Sequence, residues 1–339
     1  MKIAIVGATG LVGRNIIEQC EKILPDDIEF HLFASSKSEG KTLKVNNQDL
    51  MIRELKTDNI QQYDIALFSA GGDRSRAFAE NFTSQGSYVI DNSSAFRMQE
   101  EVPLVVYGIN QNEITSDTKL ISNPNCTTMG LVMALKPLHD KFNLLSMTPV
   151  AYQAVSGSGT AAVRSLREEE SLDPESLHEY KDGYYSRPIA RNVIPLAGNI
   201  LENGYSDEEM KFVNESKKIL NIPSLIVEPS NARVGVVTGH GVFCSAVFEN
   251  DINTDEAITE LNSFDGVQYW SEKLPTPLDA ENNSDVLVSR LRMGLSSSKI
   301  INFWCVSDNL LKGAALNAVQ IAKHLICLLY TSPSPRDPE

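Results

Sequence analysis

The chain reads as an α/β protein of two domains, with a Rossmann-like N-terminal half and a second, α+β half. Three observations carry this. Its 339 residues are too many for one small domain, at about 150 residues per domain. In the first half, short apolar runs alternate with polar helical segments, the pattern of βαβ units and a mostly parallel sheet. A glycine-rich turn stands directly between the first apolar run and the first helical one.

The elements follow in order. Residues 3–7 make the first strand, and a helix runs from about 11 to 24. Glu29–Ala34 is the second strand. Residues 64–69, Tyr88–Asp91 and 104–106 are further apolar runs bounded by Gly, Ser and Asn. A strand over 119–122 ends in the turn Ser122-Asn123-Pro124-Asn125-Cys126, and a helix over 127–138 begins there. That turn bounds a first domain of residues 1–124. Beyond it, residues 147–155 and 232–249 are long strand-like runs with no crossover helix after each. They predict an α+β domain over 125–307 with a more antiparallel sheet. The helical run 310–326 is expected to pack back, completing the first domain with residues 308–326. From Cys327 the chain reads CLLYTSPSPRD, which resembles a translated sequencing adapter. A Ser/Pro-rich disordered tail is the alternative, and no functional role is read from 327–339.

Composition narrows the function. There are 44 acidic and 30 basic residues, a net charge of −14, which disfavours nucleic acid or an anionic membrane as main partner. A local cluster of Arg and Lys still allows an anionic small substrate. No apolar run approaches the ~20 residues of a membrane span. The opening MKIAIVGA lacks the basic and apolar regions of a secretory signal, so a cytoplasmic protein is expected. The five cysteines are odd in number, widely spaced and free of CxxC, which argues against a disulfide framework or a zinc site.

Gly7-Ala8-Thr9-Gly10-Leu11-Val12-Gly13 is GxxGxxG, a variant of GxGxxG. Such glycines permit a tight turn, close approach of a pyrophosphate and close helix–strand packing. The helix start offers N–H groups to phosphate. A plain strand-to-helix turn is the alternative. An NAD site places Asp or Glu about 20 residues on, against the ribose 2′-OH. Here the run after Phe33 is Ala34-Ser35-Ser36-Lys37-Ser38. Hydroxyls and a cation without an acid suit a 2′-phosphate, so NADP is the expected cofactor; a solvated Ser/Lys loop is the alternative.

Cys126 stands at a helix start among Asn123, Asn125 and Thr127, where the helix N-terminus favours a thiolate. Cys20, Cys244 and Cys305 lie in apolar runs and read as buried structural thiols. A cysteine nucleophile beside a nicotinamide points to aldehyde oxidation through a thioester.

Several motifs together carry a family resemblance. GATGLVG, FSAGG, DNSSAFRM, VPLVV, SNPNC, YQAVSGSG, DEEMKFVNESKKIL, ARVGVVTGH and SDNLLKGAA occur in this order. From Met1 to about His324 the chain resembles the aspartate-β-semialdehyde dehydrogenase family. The related reductase of N-acetyl-glutamyl phosphate usually has Gly before its Cys, where this chain has Asn125. The resemblance implies Cys126 as acyl-thioester nucleophile and His240 as general acid/base, taking the thiol proton and returning one. It implies Gln153 and Arg233 as substrate-holding residues, Arg233 on the α-carboxylate, with Glu208 on the amino group. Arg97, Asn125 and Lys211 are implied for phosphate. Thr9, Gly10, Leu11, Val12, Lys37, Ser38, Ser156, Gly157 and Asn309 are implied cofactor contacts, beside the loop glycines Gly7 and Gly13. It further implies NADP-dependent, reversible reduction of L-aspartyl 4-phosphate to L-aspartate 4-semialdehyde with release of inorganic phosphate. The implied setting is lysine, threonine and methionine biosynthesis, by a metal-free homodimer built on the second domain.

Without the resemblance, Glu208 and Lys211 read as a solvated i,i+3 pair, His240 as structural, Arg97 as a surface charge and Gln153 as a strand residue. The sequence also departs from the family. Tyr107-Gly108-Ile109-Asn110 follows VPLVV where Pro-Glu-Val-Asn is usual. Lys37 stands where Arg is common and cannot make Arg's planar bidentate contact. The stretch after Arg167 is shorter than in many members. Two rivals remain: another acyl-phosphate or acyl-thioester reductase on this fold, and a catalytically inactive paralogue. The joint presence of Cys126, Gln153, Arg233 and His240 argues against the second.

Overall fold

A computed structural model describes residues 1–115 and 117–331. Its packing divides the chain into two units: Met1–Pro124 joined by the C-terminal segment from Ala314, and Asn125–Gly313.

The first unit opens with β1 (Lys2–Val6), α1 (Leu11–Ile23) and β2 (Glu29–Ala34), then the hairpin β3 (Thr42–Val45) and β4 (Gln48–Glu54). β5 (Ile65–Phe68), α2 (Gly72–Thr83), β6 (Tyr88–Asp91) and β7 (Leu120–Ser122) follow. The sheet order is β3-β4-β2-β1-β5-β6-β7, parallel except for the β3–β4 pair. Alternate strand residues face opposite sides, and each side has its own core. Ile3, Ile5, Leu32, Leu67 and Ile90 pack with Ile16 of α1 and with Val319 and Ala322 of the C-terminal helix. Ala4, Val6, Phe33, Phe68 and Val89 pack with Tyr63 and with Phe82 of α2. The hairpin is not read in the sequence, although Asn46 and Asn47 mark it: both have positive φ, 48° and 61°, as a two-residue hairpin turn requires. The expected run at 104–106 makes only a single bridge, Leu104 to Ser122.

Two glycines of the phosphate turn are demanded by the fold itself. Gly7 has φ +90°, and a Cβ there would lie 2.7 Å from the Ser69 carbonyl carbon. A Cβ on Gly13 would lie 2.1 Å from the Gly7 carbonyl oxygen. At Gly10 the nearest atom would be 3.4 Å away, so nothing in this unit excludes a side chain there.

The second unit runs α3 (Cys126–Phe142), β8 (Leu144–Gln153), α4 (Thr160–Glu170), α5 (Pro174–Glu179), β9 (Val193–Ile194) and α6 (Asp207–Ile219). It continues β10 (Ile226–Val227), β11 (Ser230–Val234), β12 (His240–Phe248), α7 (Thr254–Ser263), β13 (Val267–Tyr269), α8 (Pro277–Ala280), β14 (Val286–Met293) and β15 (Ile300–Ser307). The sheet order is β13-β14-β15-β12-β8-β11-β9. The single run expected over 232–249 is two strands. β11 lies parallel to β8 on one side, and β12 antiparallel to it on the other. Gly239, at φ +99°, takes part in the turn between them. The sheet is therefore mixed: β10, β11 and β13 make parallel pairs, and the long strands β8, β12, β14 and β15 pair antiparallel.

The C-terminal boundary also differs from expectation. Residues 308–313 belong to the second unit. The Asp308 carboxylate accepts the N–H groups of Leu310 and Leu311 at 2.8 and 3.0 Å, and Asn309 bonds Ser156 and Gly239. A π-helical turn, Leu311–Ala315, precedes α9 (Leu316–Thr331), which runs on past 326 through Cys327. Residues 332–339, part of the segment set apart in the sequence, lie outside the described residues.

Gly13→Ala should destabilise the protein by about 1–3 kcal/mol, the usual cost of forcing an extra methyl into packed structure. Gly10→Ala should cost less. Denaturant titrations on both variants check this, and equal losses would contradict the assignment of Gly10 to a ligand rather than to packing.

Candidate active site

In the first unit a cleft of about 230 Å³ opens at the phosphate turn, lined by Gly7, Thr9, Gly10, Ser35, Ser69 and Arg74 among others. Gly10 is the N-cap of α1 and brings no capping side chain, so the first-turn N–H groups of Leu11 and Val12 have no side-chain partner. An open helix start beside a glycine that packing does not require fits a dinucleotide pyrophosphate. Lys37 and Ser38 sit in the short turn Ser36–Ser38, which does not line this cleft. Arg74, near the start of α2, does line it, and sequence reasoning missed it. Its signal was position, on the helix that follows a central parallel strand and Gly71-Gly72. Arg97 is buried, with Nε donating to the Asn123 carbonyl and Nη2 to the Asn92 carbonyl, both at 2.9 Å.

In the second unit, α3 starts one residue earlier than the sequence suggests, at Cys126. Asn125 is its N-cap: one side-chain oxygen accepts the N–H groups of Thr127 and Thr128 at 3.0 and 3.2 Å. Cys126 is half-buried on the first turn, at the positive end of the helix dipole. Gly313 packs against it, and a Cβ there would lie 2.8 Å from the Cys126 Cβ. Cys20, Cys244 and Cys305 are buried, and burial pushes their thiols up, Cys305 to about 12.

Strand register assembles the next group. Arg233 of β11 pairs with Gln153 at the end of β8. Arg233 donates from Nη1 to the Ala154 carbonyl at 2.8 Å, and His240 Nδ1 accepts the Ala154 N–H at 3.0 Å. The turn Val155–Ser158 lies over both: a Cβ on Gly157 would be 3.2 Å from His240 Nε2 and 3.6 Å from Arg233 Nη1. Asn309 anchors that turn by donating to Ser156 Oγ at 2.8 Å while accepting the Gly239 N–H at 2.9 Å. Gln153 Nε2, Arg233 Nε and His240 Nε2 are each sealed from solvent with no hydrogen-bond partner. Buried donors normally find partners, and leaving one unmade costs about 1–3 kcal/mol. Orphaned donors on this set of residues mark a site for an oxygen-rich ligand.

α6 supplies the charges. Glu208 and Lys211 form an ion pair one turn apart, and Asn125 Nδ2 donates to the second Glu208 oxygen at 3.0 Å. Burial pushes the Glu208 carboxyl up. The Lys211 ammonium outweighs it, helped by Arg233 and Asn125, and holds the group below the usual carboxylate range. Sequence reasoning missed two further residues. Tyr185 stacks its ring 5.8 Å from the Arg233 guanidinium and donates to Ser158 Oγ at 3.0 Å. Glu215, one further turn along the Glu208–Lys211 face, accepts the Asn125 backbone N–H; the 208, 211, 215 spacing was its signal.

The geometry refines the expected role of His240. With Nδ1 accepting an amide N–H, the neutral ring carries its proton on Nε2, the unpaired atom. As arranged it can donate from Nε2 but cannot take a proton there. Burial, and then Arg233, lowers its protonation to about pH 3. Among the described residues no group of His, Cys, Asp and Glu is placed to hold a metal ion.

Fold and site together define a nicotinamide-dependent oxidoreductase of two units, a Rossmann-type unit and one bearing a cysteine at a helix start. Residues 2–117 match the model of the semialdehyde dehydrogenase NAD binding domain, and 135–312 that of the semialdehyde dehydrogenase dimerisation domain. The chain is 43% identical to the aspartate-semialdehyde dehydrogenase of Streptomyces akiyoshiensis, covering 95% of this chain and 98% of that one. It is 38% identical to that of Bacillus subtilis over 96% and 97%. It superposes on a crystal structure of aspartate semialdehyde dehydrogenase II complexed with ASA from Vibrio cholerae, with TM-score 0.91 and 37% identity over 96% and 98%. The chain belongs to the aspartate-semialdehyde dehydrogenase family.

The neutral His240 ring has a testable signature. An unfolded ring titrates near 6.5, so as pH falls below that value the unfolded chain binds a proton that the folded chain refuses. Stability is full above pH 6.5 and declines as pH falls toward about 3. Nitrogen-15 spectra of histidine-labelled protein should show one ring protonated on Nε2 alone, unchanged from pH 8 to pH 5. A His240 ring titrating near 6.5 would contradict this geometry.

Proposed function

We propose that this enzyme catalyses the reversible, NADP-dependent reduction of L-aspartyl 4-phosphate to L-aspartate 4-semialdehyde, with release of phosphate, through a thioester on Cys126. The carrying observation is the set of sealed, unpaired donors on Gln153, Arg233 and His240, in the same unit as a cysteine at a capped helix start. The ASA complex of the Vibrio cholerae relative supports the substrate.

Arg233 grips the α-carboxylate, with Tyr185 behind it, and Gln153 donates to the substrate's oxygens. Glu208 takes the amino group. Lys211, with Asn125, takes the phosphate; before substrate arrives, Glu208 and Lys211 neutralise each other. Cys126 attacks the acyl carbon and the phosphate leaves, giving the thioester. A bound reduced nicotinamide supplies the hydride. His240 Nε2–H donates a hydrogen bond to the oxygen that gains charge, keeping its proton, while its Nδ1 stays on the Ala154 amide. The thiohemiacetal oxyanion then collapses to aldehyde and thiolate.

The Ser/Lys run after Phe33 and the cation at Arg74 favour a 2′-phosphate, hence NADP over NAD. The dimerisation-domain match supports a homodimer. The sheet face carrying Tyr152, Phe243 and Trp304, with ring centroids 4.8–6.3 Å apart and Phe243 39% exposed, suits such an interface. No described helix is long and apolar enough to cross a membrane, and a cytoplasmic place in lysine, threonine and methionine synthesis fits the reaction.

The deciding experiment is NADP reduction by the purified protein with aspartate semialdehyde, with and without phosphate. Phosphate-dependent turnover is expected, and Cys126→Ala should lose several decades of it. More than a tenth of wild-type activity in that variant would remove Cys126 as nucleophile.

The two anion sites should separate kinetically. Lys211→Ala should raise KM for phosphate more than for the semialdehyde, and Arg233→Ala should do the reverse. Each lost charged contact is worth about 1.5–3 kcal/mol in kcat/KM. Unchanged KM values in Lys211→Ala would return Glu208 and Lys211 to a plain helix pair.

A further inference from the structure

A helix start leaves the backbone N–H of its N-cap residue outside the helical ladder. The usual remedy is a Glu or Gln at the third helical position, which reaches back to that N–H. α6 uses this remedy itself: the Glu209 carboxylate accepts the Ser206 N–H at 2.7 Å, and Ser206 Oγ accepts the Glu209 N–H at 3.1 Å. α3 cannot, because its third position is Thr128. The Asn125 N–H is nonetheless satisfied, by Glu215 of α6, at 2.7 Å.

Glu215 is 2% exposed. Burying a carboxylate is costly unless hydrogen bonds compensate, and a carboxylate is the strong acceptor for an amide N–H. The contact falls one residue before Cys126. It also complements the Glu208 contact, since Asn125 is held at its side-chain amide by one acid of α6 and at its backbone by another, two turns along the same face. Between those two contacts the Asn125 side-chain oxygen caps α3. The direction of the first turn of α3, and so the aim of the Cys126 side chain, depends on where Glu215 puts the Asn125 backbone.

We propose that Glu215 is a positioning residue for the nucleophile, supplying from α6 the acceptor for the N-cap N–H that the third position of α3 lacks and thereby fixing Cys126 against the substrate. This rests on the reading of Cys126 as nucleophile in semialdehyde oxidation. The role is one of reach and hydrogen bonding rather than of charge, which separates two conservative variants. Glu215→Gln keeps an acceptor oxygen at the same reach. Glu215→Asp keeps the charge but is shorter by one C–C bond, about 1.5 Å.

Both variants, with wild type, would be assayed as full-length protein with NADP, phosphate and aspartate semialdehyde. Amide exchange at Asn125 would be followed by mass spectrometry with residue-level fragmentation. Glu215→Gln should keep kcat within about threefold of wild type and leave Asn125 exchange unchanged. Glu215→Asp should lower kcat about ten- to hundredfold, the scale of a misplacement of about 1 Å, with KM for the semialdehyde within about threefold. Its Asn125 amide should exchange at least tenfold faster. Wild-type kcat in Glu215→Asp, equal losses in both variants, or a kcat loss without faster Asn125 exchange would each overturn the proposal. If wild type does not oxidise the semialdehyde, the functional reading fails separately, and exchange at Asn125 still decides whether Glu215 holds that backbone.

Discussion

At the start of α3 a helix presents N–H groups that its own ladder cannot satisfy, and one Asn125 oxygen meets those of Thr127 and Thr128. Cys126 rides on that first turn, so whatever fixes the cap fixes the thiol. Gly313 closes in on Cys126 from the segment after β15, and Glu208 and Glu215 hold Asn125 from α6. Three parts of the second unit, far apart in sequence, thus meet on two consecutive residues. Small shifts there have few ways to relax, because the cap, the acids and the glycine contact constrain one another.

The substrate side follows a different logic. Along β8 and β11 the parallel register sets Gln153 beside Arg233, and the Ala154 backbone between β8 and the next turn binds both Arg233, through its carbonyl, and His240, through its N–H. The backbone of one residue therefore orients two side chains and selects the tautomer of the imidazole. The remaining donors stay sealed and unpaired, a cost that folding tolerates when a ligand's oxygens will meet them. Electrostatics are equally local. The chain is strongly acidic overall, yet Arg233, Lys211 and Glu208 form a small, nearly balanced cluster, and the global sign says little about such a site.

Much of this was legible in the sequence by itself. Strand–turn–helix alternation, the glycines at 7, 10 and 13, and short unbroken apolar runs determined a Rossmann-type first unit, because those signals are local and each reports its own backbone geometry. The polar neighbours of Cys126 distinguished it from Cys20, Cys244 and Cys305 for the same reason. Tertiary structure decided what depends on partners distant in the chain. It split the run 232–249 into strands on opposite sides of β8, since register is a property of the pair and not of the strand. It joined residues 308–313 to the second unit, where Asp308 accepts the Asn282 N–H and Asn309 bonds Ser156 and Gly239, and it set Arg74 on the lining of the cleft at the glycine turn. It turned His240 into an Nε2–H donor through a single amide of Ala154, and gave Glu215 to the cap of a helix whose own third residue cannot supply one. A hydrogen bond across 86 or 90 residues leaves no trace in either segment read alone, because neither residue's local conformation requires it.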